Sequence, residues 1–149
     1  MRIKQHGFTM IEVLIAMVIL AIGLLGVAGV QSLSLKSANN SNTRSLITMH
    51  AGEIVERMRA NMPGVEDGQY NSITAAGSGS SCSPSCSPAQ LASRDAYEWI
   101  TNLQQDVPSA QAKLTYSGGM AVVTIDWTER DLGNDAVKQS YTLRARIDQ

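Results

Sequence analysis

The sequence predicts an α+β protein: one long amino-terminal helix, apolar at first, that runs on into a head built from a short helix and a three-stranded antiparallel sheet. Three observations carry this. Val13 to Val30 is eighteen residues long without one charged or side-chain hydrogen-bonding group. The pattern then turns amphipathic with helical spacing and meets no breaker before Pro63 and Gly64. From Ala112 onward, apolar residues recur at every second position, as in strands with one buried face.

Taken in order, Arg2, Lys4 and His6 precede the apolar run. Basic residues before a first apolar segment hold that end in the cytoplasm and send the downstream chain across the membrane. At about 1.5 Å per residue, a helix from Phe8 to Val30 is about 34 Å long, enough for a hydrocarbon core of about 30 Å. The sequence therefore divides into residues 1–7 as a leader, 8–30 as the membrane half of the helix, 31–62 as an amphipathic spine, and 63–149 as a head. On the spine, Ile47, Ala51, Ile54, Val55, Met58 and Met62 share one stripe. Gly64 to Ser87 is rich in Gly and Ser and has no periodicity, which predicts an exposed loop. Ser87-Pro88-Ala89-Gln90 reads as a capping box with proline at the first helical position. The helix it opens carries Ala92, Ala96, Trp99, Ile100, Leu103 and Val107 on one side and closes at Pro108. Three strands come next: Ala112, Leu114 and Tyr116; Val123, Ile125 and Trp127; and Tyr141, Leu143, Ala145 and Ile147. Ser117-Gly118-Gly119-Met120 is a tight-turn signal, and Glu129 to Ala136 reads as a longer hairpin loop, giving a meander whose apolar face lies on the Ile47 to Met62 stripe.

The one anomaly in the apolar segment is Glu12. A carboxylate at a bilayer centre costs about 2.5–3.5 kcal/mol, less near a helix end, so its presence needs a reason. Cleavage between Gly7 and Phe8 supplies one. Glu12 then sits in the first turn of the new helix, where the dipole and a new ammonium both favour negative charge. Gly7-Phe8-Thr9-Met10-Ile11-Glu12-Val13 resembles the prepilin processing motif of the type IV pilin family, with glycine before the cut, phenylalanine after it and glutamate fifth in the mature chain. The resemblance implies that a prepilin peptidase cuts after Gly7 and N-methylates Phe8. It also implies that Glu12 pairs with the amino terminus of a neighbouring subunit as the helices pack into a filament. The long helix, loop and carboxy-terminal sheet extend the resemblance to a pilin fold over nearly the whole chain. Met49-His50-Ala51-Gly52-Glu53-Ile54-Val55-Glu56-Arg57-Met58-Arg59-Ala60-Asn61, with Trp127, is most similar to the PilV minor-pilin (pilus modification) family. Membership implies a structural subunit that primes pilus assembly with other minor pilins and the major pilin. It would be stored in the inner membrane with a periplasmic head and then moved into a surface filament. Gly29 stands where many major pilins carry a kinking proline, and Gly23, Gly26 and Gly29 recur without the GxxxG spacing.

Other side chains carry less chemistry. Cys82 and Cys86 enclose three residues of a loop expected in an oxidising compartment, which favours a disulfide over free thiols or half a metal site. No metal and no cofactor is expected. His50 lies alone on the spine, and no nucleophile–base arrangement or carboxylate pair is visible, so the reading is not an enzyme. Asp131, Asn134 and Asp135 read as hairpin-loop chemistry, and Lys138, Arg144 and Arg146 as a solvated strand face. The formal charge is −1; without Arg2 and Lys4, ten bases face thirteen acids, so no net basic field argues for nucleic acid. Three alternatives share the opening segment: a type II secretion pseudopilin, a secreted binding or catalytic domain released by an ordinary signal peptide, and a permanently anchored single-pass protein.

Overall fold

The computed structural model describes residues 7–79, 81–83, 85–130 and 135–147. Its contacts divide the chain into two units, Met1–Ala38 and Asn39–Gln149. Helix α1 spans Met10–Ala60, α2 Met62–Glu66 and α3 Pro88–Asp106; strands β1, β2 and β3 span Gln111–Ser117, Met120–Arg130 and Ala136–Arg146. The fold is the α+β arrangement that the sequence predicts.

In the first unit, α1 starts at Met10 and not at Phe8. It continues through Gly23, Gly26 and Gly29 without a break, because glycine weakens a helix but, unlike proline, removes no hydrogen bond. Every side chain from Phe8 to Leu35 is exposed.

The second unit has its own core. Ile47, Ala51, Ile54, Val55 and Met58 of α1 pack with Trp99, Ile100 and Leu103 of α3 and with Leu114, Val123 and Ile125 of the sheet. The spine stripe and the sheet's apolar face meet as the alternation requires. Trp99 is fully buried, and its indole N–H donates to the His50 carbonyl at 2.9 Å, so the bulkiest core side chain leaves no polar atom unsatisfied. Helix α3 opens with the predicted capping box: Ser87 accepts from the Gln90 N–H at 3.3 Å, and the Gln90 side chain accepts from the Ser87 N–H at 2.9 Å.

The sheet order is β1-β2-β3, antiparallel throughout. Gly118 and Gly119 join β1 to β2 at φ 56° and 77°, the left-handed pair that a two-residue hairpin turn requires. Odd-numbered residues of β2 face the helices, and even-numbered ones face away. The outer face of the sheet therefore carries Lys113, Thr124, Asp126, Lys138 and Arg144, with Thr124 and Thr142 paired across β2 and β3 at 3.3 Å.

Two expectations are corrected. Pro63 and Gly64 do not open an exposed loop. Proline is excluded from a helix interior but fits its first turn, so the chain breaks at Asn61 and re-forms as α2. Val65 within α2 and Tyr70 beyond it are buried, and Ile73 bridges Leu114 of β1, so the segment to Ile73 belongs to the core. The loop between β2 and β3 is also shorter than predicted. Strand β2 runs through Glu129 to Arg130, and β3 already begins at Ala136. Asp131 and Asn134 lie outside the described residues.

Candidate functional site

The first unit's chemistry is concentrated at its amino-terminal end. Thr9 precedes α1 and caps it. The Glu12 N–H donates to Thr9 Oγ1 at 3.3 Å, while Glu12 Oε2 accepts from the Thr9 N–H at 3.2 Å and from its hydroxyl at 3.3 Å. This is a reciprocal capping box, in which two helix-end donors find acceptors that no earlier turn provides. It explains why the helix starts at Met10, and it gives Glu12 a local role beyond any contact with another chain. Thr9-Met10-Ile11-Glu12 has the T-x-x-E spacing, so the signal stood in the sequence but was masked by the lipid-like residues around it.

Just upstream, Gly7 is exposed, and a Cβ built on it meets nothing within 4 Å. Phe8 is 87% exposed. Among the described residues, no side-chain hydrogen bond or ion pair holds either one. Nor does anything near Gly7 among these residues meet a larger side chain there.

Beyond the cap, an 18-residue window of α1 has mean hydropathy 2.9 and none of it is buried within the chain. The helix there is apolar all round, the signature of a segment surrounded by lipid or by other helices. Removing one large aliphatic side chain from water is worth about 1.5–3 kcal/mol. Ile11, Leu14, Ile15, Ile19, Leu20, Leu24 and Leu25 are all exposed. Their combined transfer outweighs the cost of about 2.5–3.5 kcal/mol for burying one carboxylate. By length and composition, this helix can cross a membrane.

In the second unit the structure joins Cys82 and Cys86 as a disulfide with their Cα atoms 4.8 Å apart. The loop is tied to α3: Ser93 Oγ donates to the Ser78 carbonyl at 3.3 Å, and Arg94 Nη1 approaches Cys82 Sγ at 3.7 Å. The bridge belongs to a different unit from Gly7, Phe8 and Glu12, and its surroundings make it a staple of the loop. His50 is 3% exposed, with Nε2 2.8 Å from Asp106 Oδ2 and Nδ1 3.4 Å from Glu53 Oε2, and it ties α1 to α3. Among the described residues, no group of three or more His, Cys, Asp or Glu side chains is placed to hold a metal ion.

Two polar clusters have no signal in the sequence pattern. In one, Arg44 of α1 makes a two-pronged contact with Glu129 of β2 at 2.9 and 2.8 Å, and the Trp127 indole donates to the same carboxylate at 3.0 Å. The Arg44 hydrogen bond holds the Glu129 carboxyl below its ordinary value against the opposing effect of burial, with Trp127 assisting. In the other, Tyr70 donates to Asp95 at 2.6 Å, and Arg57 donates to Asp95 at 3.1 Å and to Glu98 at 2.8 Å. Asn61 donates to the Tyr70 oxygen at 3.1 Å and to the Pro88 carbonyl at 2.8 Å. Burial first, then the Asp95 bond, push the Tyr70 phenol well above its usual range, so it remains a donor. Burial works against the charged form of Arg57, but its bonds to Glu98, Glu53 and Asp95 prevail and raise its value further. Both clusters lock α1 to the rest of the head.

Compared with known proteins, residues 2–28 match a family model described as the prokaryotic N-terminal methylation motif. The match supports a type IV pilin-like or pseudopilin protein, and its span includes Gly7, Phe8 and Glu12. No curated protein and no solved structure matches the chain.

Proposed function

We propose that the protein is a minor type IV pilin: a precursor cut after Gly7, N-methylated on Phe8, held in the inner membrane by α1 with its head in the periplasm, and then incorporated into a filament whose assembly it helps to prime. Its role is structural, not catalytic. The observation that carries the reading is the junction itself. An exposed glycine with open space where a side chain would stand and an exposed phenylalanine lead into a capped helix whose apolar surface is bare, within a matched methylation motif. A peptidase needs an accessible bond, and a filament or a bilayer needs an uncovered helix. In this reading the partners are the prepilin peptidase, sibling minor pilins and the major pilin. Glu12 faces the amino terminus of a neighbour, a pair that sets the register that aliphatic helices leave undefined.

The test is mass spectrometry of the mature chain together with a Gly7→Leu variant. The expected mature protein begins with N-methylated Phe8, and the variant accumulates as an uncut precursor with an intact head. A mature terminus at Gly29 would show an ordinary signal peptide instead, and normal processing of the variant would remove the assigned role of Gly7.

A further inference from the structure

The sheet ends on an open side. Among the described residues, strand β3 pairs only with β2, over an unbroken register from Met120↔Arg146 to Arg130↔Ala136. The Ile147 N–H bonds the Gly119 carbonyl at 2.9 Å. In an antiparallel ladder the bonding direction alternates residue by residue. Odd-numbered residues of β3 therefore bond β2, and the backbone groups of Lys138, Ser140, Thr142 and Arg144 point to the free edge. The same parity explains why the Arg146 carbonyl is available to Arg59 Nη2, at 3.0 Å, which closes that end of the edge. The run from Lys138 to Arg144 is about 20 Å long at about 3.3 Å per residue.

The two faces along this edge differ. On the inner side, Tyr141, Leu143 and Ala145 are only half-buried and Val137 is 38% exposed, whereas Val123 and Ile125 on neighbouring β2 are fully buried. The apolar layer thus stops one strand short of being covered. On the outer side, Lys138 and Arg144 are exposed and flank Ser140 and Thr142. A second copy of β3 fits poorly: antiparallel pairing centred on this run sets Lys138 opposite Arg144 at both ends, and like charges directly opposed are destabilising.

We propose that the free edge of β3, from Lys138 to Arg144, accepts an extended segment of another protein subunit whose side chains alternate acidic and apolar. The added strand takes the edge N–H and C=O groups. Its apolar side chains extend the layer of Tyr141 and Leu143, and its carboxylates meet Lys138 and Arg144 on the outer face. The surface lies wholly in the second unit and uses no residue of Met1–Ala38, so it does not depend on leader processing.

The test uses the full chain in detergent micelles and two synthetic peptides, one alternating Glu and Val and one alternating Lys and Val. Residue-resolved amide exchange is the readout. The acidic peptide is expected to bind and to slow exchange at Ser140, Thr142 and Arg144 but not at the odd-numbered positions already bonded to β2. A Lys138→Glu, Arg144→Glu variant should bind it about tenfold or more weakly, as two exposed ion pairs at the upper end of their usual worth imply. Ser140→Pro should abolish binding, since it removes an edge donor while leaving the bonds to β2 in place. Should that variant misfold, the charge-reversed variant still decides. Equal binding of both peptides, protection elsewhere, undiminished binding by a folded Ser140→Pro variant, or a β3-mediated homodimer would each overturn the proposal. Failure here with normal maturation at Phe8 leaves the pilin reading standing, and edge binding without maturation does the reverse.

Discussion

Glu12 has two candidate jobs, and one pair of substitutions separates them. Glu12→Ala removes both the acceptor for Thr9 and the charge. Glu12→Gln removes only the charge, because a capping box accepts glutamine at that position and the side-chain oxygen can still take the Thr9 N–H, now 3.2 Å from Oε2. If the cap were the whole role, alanine would cost about 1 kcal/mol and glutamine close to nothing. If Glu12 pairs with a neighbour's amino terminus, either change leaves a buried ammonium alone, at about 3–5 kcal/mol, or about 10²- to 10⁴-fold in the incorporation equilibrium. The larger effect dominates, so both variants should be cut at Phe8 yet remain in the membrane. The assay is targeted mass spectrometry of the mature chain in sheared-filament and membrane fractions, compared as a ratio. Glutamine incorporated at the wild-type level with alanine impaired would refute the register argument and reduce Glu12 to a cap.

Three further outcomes concern the head and can be read by urea unfolding of the full chain in micelles, monitored by tryptophan fluorescence. Tyr70→Phe removes the 2.6 Å bond to Asp95 and should cost about 1.5–3 kcal/mol, the range for hydrogen bonds to charged groups; an unchanged midpoint would show the cluster to be dispensable. Gly64→Ala puts a Cβ 2.5 Å from Asn61 Nδ2, displacing the side chain that holds Tyr70 and Pro88, and should cost about 1–3 kcal/mol, whereas the same change at Gly52, where a Cβ meets nothing, should not destabilise. Glu129 has a lowered folded value, so its contribution is complete above the ordinary 4.5 and is lost as pH falls through the folded value. The stability gap between wild type and Glu129→Gln should therefore narrow in acid, and a gap independent of pH would deny the Arg44 pair its role.

The fold was legible where one residue pattern had one interpretation. The spine stripe, the Ser87 to Gln90 cap and the Gly118-Gly119 turn each appear where local chemistry demands them. The segment after Pro63 was hidden because its two buried anchors, Val65 and Tyr70, are too few to make a period. Tyr70 gains its importance from Asp95, twenty-five positions away, a relation that no local spacing encodes. Glu129 was misplaced for a related reason. A carboxylate next to an arginine and an aspartate looks like loop, and only Arg44, eighty-five positions earlier, makes its inward position tolerable. At the amino terminus the difficulty was reversed. Glu12 stood out in the sequence because it breaks an apolar run, and this favoured a contact between chains and concealed the cap three residues away. The two roles are compatible. A carboxylate already fixed by Thr9 at the start of a helix loses less rotamer freedom when a second donor arrives, so the cap would prepare the geometry that the proposed pairing between subunits requires.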